Sequence, residues 1–189
     1  IRPYRKPLVI FTPKSLLRHK DSVSPLEEFA ASKFKPVNED WDTSIDPKKV
    51  KRVIFCSGKV FFDLMTARRE RGIKDVAIVR IAQLYPFPHE DFQQLISLYG
   101  SAKEVFWCQE EPENQGAWHR IQHYILRHMQ PEQILGYAMR PSSASPAAGY
   151  LSLHNEQQKE LIDTAFAPVA DNLVKPVQGL GKAERKPRR

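Results

Sequence analysis

Between residues 50 and 166 the sequence alternates short apolar, β-prone runs with amphipathic helical patterns, and this alternation constrains the fold more than any other feature. Four strand-then-helix units follow one another. The predicted strands are residues 52–56, 76–81, 105–108 and about 135–139. Strands that alternate with helices pair in parallel, and the helices cover both faces of the sheet. The sequence therefore predicts an α/β fold with three layers, a mainly parallel sheet between helices on both faces.

The segments on either side of this alternation lack its regular pattern. Residues 8–11 are apolar and predict a short buried strand within residues 1–12. Residues 13–49 are mostly polar with scattered prolines, which indicates a connector, so the α/β domain itself is expected at 50–166. Residues 167–189 form a basic tail that contains proline and glycine and has no apolar pattern of its own.

The net charge of +7 is concentrated at the two ends of the chain. Residues 1–20 carry +6 and residues 167–189 carry +4, so the central part carries −3. A domain that binds nucleic acid carries its basic groups on the folded body, so we expect no nucleic-acid partner. No apolar run approaches the roughly 20 residues of a membrane span, so we expect no membrane partner. The chain begins at Ile1 without a secretion signal, and we expect a fragment of a longer protein.

The two cysteines, Cys56 and Cys108, both lie in predicted strands. Their apolar neighbours indicate buried, reduced thiols rather than a disulfide framework. Such thiols are typical of the cytoplasm of a bacterium or of the mitochondrial matrix.

Polar loops follow the predicted strands, and a parallel sheet brings such loops to one edge. Lys59 and Arg140 lie in two of these loops, where cationic groups and free backbone N–H groups suit a phosphate or nucleotide. The sequence has no glycine-rich phosphate-binding motif, and ordinary caps and turns are the simpler interpretation.

An acid–base or metal-dependent hydrolase is a second alternative. Glu110 and Glu111 form an acidic pair, and His119 and His123 have the spacing of two metal ligands on one helix. Arg120 lies between the histidines, where a zinc enzyme usually has its glutamate. Neighbouring residues of an extended loop point apart, so a structural use of the two acids is favoured over catalysis.

The run from residue 107 to residue 118 contains two tryptophans, paired carboxylates and side-chain amides. Its first residues predict a strand, and a helix is expected after Gly116, so the carboxylates are expected in a strand-to-helix loop. Such loops lie at the carboxyl edge of a parallel sheet, where ligands and partner subunits bind. The possible interface residues are Glu110, Glu111, Asn114, Gln115 and Trp118.

Seven sequence motifs are more specific than the composition of the chain. They are TPKSLLRH (12–19), SGKV (57–60), DVAIVRI (75–81), QLYPFP (83–88), WCQEEP (107–112), NQGAW (114–118) and RP with SASP (140–141 and 143–146). In this order they resemble the C-terminal region of the thiamine-diphosphate-dependent component of the 2-oxoglutarate dehydrogenase complex. The resemblance covers about residues 3 to 166.

The resemblance implies oxidative decarboxylation of 2-oxoglutarate, with the succinyl group passed to lipoyl groups of the dihydrolipoamide succinyltransferase component. It implies a transketolase C-terminal-like domain in a homodimer, with residues 1–12 as the last strand of a preceding pyrimidine-binding domain. Thiamine diphosphate and Mg²⁺ would be bound upstream. The family's cofactor signature, Gly-Asp-Gly followed by Asn-Asn, is absent from this sequence. We therefore expect no catalytic, cofactor-binding or metal-binding residue here, and an inactive isolated chain.

Some members of this family bind acetyl-CoA as an activator. By resemblance, Lys33 and Gln83 match two contacting positions. Pro36 replaces a serine of that pattern, and Glu90 and Asp91 replace an arginine pair. Because carboxylates repel phosphates, we expect this regulatory site to be lost.

Overall fold

The structure is a computed structural model that describes residues 4–169 and 173–174. Five strands and five α-helices make up its regular elements, together with two short 3₁₀ helices at Lys14–Arg18 and Pro47–Lys49. The α-helices and strands are α1 (Leu26–Ala31), β1 (Val37–Asn38), β2 (Arg52–Cys56), α2 (Val60–Glu70), β3 (Val76–Ile81), α3 (His89–Leu98), β4 (Glu104–Pro112), α4 (Trp118–His128), β5 (Ile134–Arg140) and α5 (Leu151–Phe166).

The strands form one sheet in the order β1-β3-β2-β4-β5. Strand β2 pairs in parallel with both β3 and β4, and β4 pairs in parallel with β5. Only the short β1 is antiparallel within the described sheet, where it pairs with the end of β3. The predicted α/β class with a mainly parallel sheet is confirmed.

Two hydrophobic cores lie on opposite faces of the sheet, because successive side chains of a strand point to opposite sides. Val53 and Phe55 of β2 face a core that α3 and α4 cover. Ile54 and Cys56 face the other core, covered by α2 and α5. All five residues of β2 are buried, as expected for a central parallel strand with helices on both sides. The prediction of three layers is confirmed.

The structure describes no strand at residues 8–11, where the sequence predicts one. These residues have no strand pairing in the described structure, and their side chains are 71 to 96% exposed. Four apolar residues form a strand only where a neighbouring strand accepts their hydrogen bonds, and no described strand lies beside them. Their assignment to a preceding domain stays a prediction.

The segment predicted as a connector contributes to the fold. Its β1 forms one edge of the sheet, and Ile45 is buried in the core. The carboxylate of Asp40 forms a buried ion pair with Arg68 of α2 and accepts a hydrogen bond from the backbone N–H of Ile78 at 2.7 Å. Arg68 also donates to the carbonyl of Val76 at 3.0 Å. Asp40 thus attaches residues 37–49 to α2 and β3, while the proposed domain boundaries stay a prediction.

Replacement of Asp40 by alanine should cost about 3 to 5 kcal/mol of the free energy of unfolding, because it leaves the Arg68 guanidinium buried without its carboxylate. Asp42 also contacts Arg68, at 3.5 Å, but its side chain is 31% exposed. Asp42→Ala is therefore the matched control, with an expected loss of about 1 kcal/mol or less. Urea denaturation of both variants measures the difference, and equal losses would contradict a dominant role of the Asp40 pair.

Candidate functional site

Lys59 lies directly before α2, at the carboxyl edge of the sheet, and is held between two carboxylates. Its Nζ lies 2.5 Å from Oδ2 of Asp63 and 3.1 Å from Oε1 of Glu110. Burial disfavours the charge, but the hydrogen bond with Asp63 and the charge of Glu110 outweigh it, so the pKa of Lys59 is raised. The ammonium group therefore stays charged and is neutralised within the chain.

The polar contacts continue from Asp63 across the edge to β5 and α5. Oδ2 of Asp63 accepts a hydrogen bond from Nε2 of Gln158 at 2.9 Å, and Oε1 of Gln158 accepts one from Arg140 at 2.7 Å. The Arg140 guanidinium also lies 3.2 Å from Nδ1 of His154. Lys59 and Arg140, the two predicted phosphate ligands, thus belong to one network. Its protein partners favour a structural role over an anion site.

Gln109 is a fully buried residue that sequence reasoning did not single out. Its Oε1 accepts hydrogen bonds from the indole N–H of Trp107 at 2.9 Å and from the backbone N–H of Trp118 at 3.1 Å. Its Nε2 donates to the carbonyls of Gln115 at 2.8 Å and Pro112 at 3.2 Å. One side-chain amide therefore connects β4, the turn after it and the start of α4. The signal in the sequence was a glutamine between two tryptophans in an apolar strand.

Gly116 allows the turn to approach this amide. Its φ of +68° lies in the left-handed region, and a Cβ built at this position would lie 2.8 Å from Nε2 of Gln109. A side chain here would strain the backbone and displace the glutamine.

Asn114 and Gln115 bind another loop of the same chain. Nδ2 of Asn114 donates to the carbonyl of Ser143 at 3.0 Å, and its Oδ1 accepts from the Ser143 N–H at 3.1 Å. Nε2 of Gln115 donates to the same carbonyl at 2.9 Å. The two amides thus hold the serine-rich segment after β5 against the turn after β4.

The other predicted interface residues differ from expectation in two respects. Glu110 and Glu111 lie within β4 and not in a loop, because the strand continues past an irregularity after Cys108 until Pro112 pairs with Arg140. Trp118 is only 3% exposed and packs near the ring of Tyr137. It contributes to the core of this chain rather than to an exposed surface, while Glu111 remains exposed.

The residues of the hydrolase alternative are not brought together. Glu110 binds Lys59, whereas His119 and His123 lie on the exposed side of α4. The described residues contain no group of three or more histidine, cysteine or acidic side chains that could hold a metal ion. Both cysteines are free and buried, as predicted, and burial raises the pKa of both thiols. Among the described residues, no helix is long and apolar enough to cross a membrane.

Lys33 lines a cavity of about 540 Å³ between the segment around α1 and the sheet. Arg80 lines it too, and its guanidinium lies 5.1 Å from the ring centre of Phe61 and 5.3 Å from that of Trp41. Burial lowers the pKa of Arg80. Gln83 donates to the carbonyl of Pro86 at 2.7 Å. The first turn of α3 contains Glu90 and Asp91, which do not line this cavity. The assignment of Lys33 and Gln83 to CoA, and its expected loss, stay predictions.

Replacement of Gln109 by leucine should cost about 3 kcal/mol of the free energy of unfolding, because it leaves two buried N–H groups without their acceptor and the Gln115 carbonyl without this donor. Gln122→Leu on α4 is the control, since its side chain makes only a 3.5 Å contact with His119, and a change within about 0.5 kcal/mol is expected. Denaturation followed by tryptophan fluorescence measures both. Equal stability of the two variants would refute the role given to Gln109.

Comparisons with known proteins agree on one family. A family model described as "2-oxoglutarate dehydrogenase C-terminal" matches residues 23–166. The 2-oxoglutarate dehydrogenase E1 component of Cupriavidus necator is 56% identical over 167 residues, which are 88% of this chain and 18% of that protein. The E1 component of Azotobacter vinelandii is 53% identical, with the same shares covered.

Among solved structures, a "Split gene transketolase, inactive beta4 tetramer" is 12% identical, with a TM-score of 0.49 over 70% of this chain and 41% of that one. The chain spans about 18% of the length of the curated relatives it matches. The match of the family model over most of the chain, together with identities above 50%, shows that the chain belongs to the 2-oxoglutarate dehydrogenase C-terminal family.

Proposed function

We propose that this chain is the C-terminal, non-catalytic part of a 2-oxoglutarate dehydrogenase E1 subunit. In that role it supports the dimer and the architecture around a cofactor bound by the preceding domains. The observation that carries the proposal is the 56% identity to an E1 component over 88% of this chain and only 18% of that protein. The parent enzyme would decarboxylate 2-oxoglutarate and transfer the succinyl group to lipoyl groups.

Thiamine diphosphate and Mg²⁺ are the cofactors of the proposed parent enzyme, and the residues of this chain do not fit them. A diphosphate–Mg²⁺ site needs oxygen ligands that are free to bind the ion. At the sheet edge, Asp63 and Glu110 are both engaged by Lys59. The sequence also lacks the Gly-Asp-Gly signature. We therefore assign no catalytic, cofactor-binding or metal-binding residue in this chain.

The surface of the described chain supports a role in a larger assembly. Leu8, Val9, Ile10 and Phe11 are at least 71% exposed, and Phe29 is 78% exposed. Exposure of such a cluster of large apolar side chains to water is unfavourable. Clusters of this kind mark contact surfaces. We propose that the preceding domains of the same subunit cover them.

The remaining partners follow from the same proposal. A second subunit would complete a homodimer, with exposed Glu111 among the groups available to it. The succinyltransferase component would receive the product of the parent enzyme. The bacterial origin of the relatives and the buried free thiols support a cytoplasmic location, or the mitochondrial matrix in a eukaryote.

The isolated chain should show no turnover of 2-oxoglutarate in the presence of thiamine diphosphate and Mg²⁺, because it contributes no residue to the chemistry. The positive arm is a chimera of the Cupriavidus necator E1 component in which this chain replaces the matching C-terminal region. We expect the chimera to be dimeric and to decarboxylate 2-oxoglutarate, measured by reduction of an artificial electron acceptor.

The same E1 component truncated before the matching region is the control, and it should be inactive. Turnover by the isolated chain would contradict the non-catalytic assignment. A chimera that folds but is neither dimeric nor active would contradict the supporting role.

A further inference from the structure

The outer edge of β5 is a surface at which a further strand can pair with this sheet. β5 is the last strand in the sheet order, so one side of its backbone faces away from β4. Residues 134–139 are uncharged and contain no proline, and Ile134 and Tyr137 are of types that favour strands. Edges of this kind pair readily with a strand of another molecule, and proteins protect them with a charge, a proline or a covering segment.

Part of the chain after α5 lies against this edge. Leu173 forms an antiparallel bridge with Gly136. The backbone N–H of Val174 donates to the carbonyl of Leu135 at 2.8 Å. These contacts are those of an added strand, although they involve only the two described residues of that segment.

The side chains before and after the bridge support this placement. Val169 packs against the core under α2 and α5, whereas Val174 packs against the core under α3 and α4. These cores lie on opposite faces of the sheet, so each valine contacts a different face.

Gly136, the residue of β5 that forms the bridge, also packs closely against β4. A Cβ at this position would lie 2.6 Å from the ring of Phe106 on β4. The missing side chain therefore leaves room for the Phe106 ring on one face of the sheet, while Leu173 forms its bridge with the same residue.

We propose that the edge of β5 is a strand-binding surface and that Leu173 and Val174 of this chain occupy it as an intramolecular strap. The strap prevents the edge from pairing with β5 of a second copy. The two strands of an antiparallel β5–β5 pair would be related by a twofold axis, as expected for a dimer of identical chains. The family model ends at residue 166, so the strap comes from a segment beyond the region that defines the family.

Val174→Pro tests the hydrogen bond directly, because proline has no N–H to donate to Leu135. Val174→Ala is the matched control, since it keeps the N–H and only shortens the side chain. A chain that ends at Val169 removes the strap while keeping the valine that packs under α2 and α5. Circular dichroism verifies that each variant remains folded.

Hydrogen exchange should show that the Val174 amide in the full chain exchanges at least about fivefold more slowly than in a free peptide of the same sequence. Light scattering over a concentration series should show larger species for the truncated chain and for Val174→Pro than for the full chain and for Val174→Ala. A synthetic peptide of residues 170–179 should reverse the association of the truncated chain.

An unprotected Val174 amide would overturn the proposal. A truncated chain with the same mass as the full chain at every concentration would do so too, because the edge would then need no cover. Association that the peptide does not reverse would place the contact elsewhere on the molecule.

Discussion

The buried amide of Gln109 is the constraint on which the carboxyl edge of the sheet depends. A parallel strand that ends in the core leaves backbone groups that water cannot reach, and each unpaired group would cost about 1 to 3 kcal/mol. Gln109 supplies an acceptor for two N–H groups and a donor for two carbonyls. Because a single planar group satisfies all of them, β4, its turn and the start of α4 have one arrangement relative to each other.

The rest of the edge is built outward from this arrangement. The turn that Gln109 holds presents Asn114 and Gln115 to the carbonyl of Ser143, and so positions the segment between β5 and α5. In the opposite direction, Glu110 reaches Lys59 at the start of α2. Lys59, Glu110, Asn114, Gln115 and Arg140, which suggest an active site in the sequence, are therefore engaged by contacts within the chain, whereas Glu111 is exposed.

The four parallel strands could be predicted because their signal is local. β2 is buried on both faces, and the uninterrupted apolar run of its last four residues indicates this directly. The errors occur where distant residues decide. Residues 8–11 read as a strand but find no neighbour to pair with, and the two residues of β1 are too few to form a pattern. Glu110 and Glu111 lie in a strand because Pro112 pairs with Arg140, which the local sequence does not reveal.

The same distinction separates the candidate site from its function. The residue types predicted a polar edge at the carboxyl ends of the strands, and the structure places Lys59, Glu110 and Arg140 there. Which of them could act on a ligand depended on whether their charges were already matched, and this is a property of packing. Lys59 is matched by two carboxylates from different elements, α2 and β4. Arg80 is different: it contacts aromatic rings, and its charge has no carboxylate partner among the described residues. The Arg80 cation therefore lies near the carboxyl end of β3, beside the segment around α1.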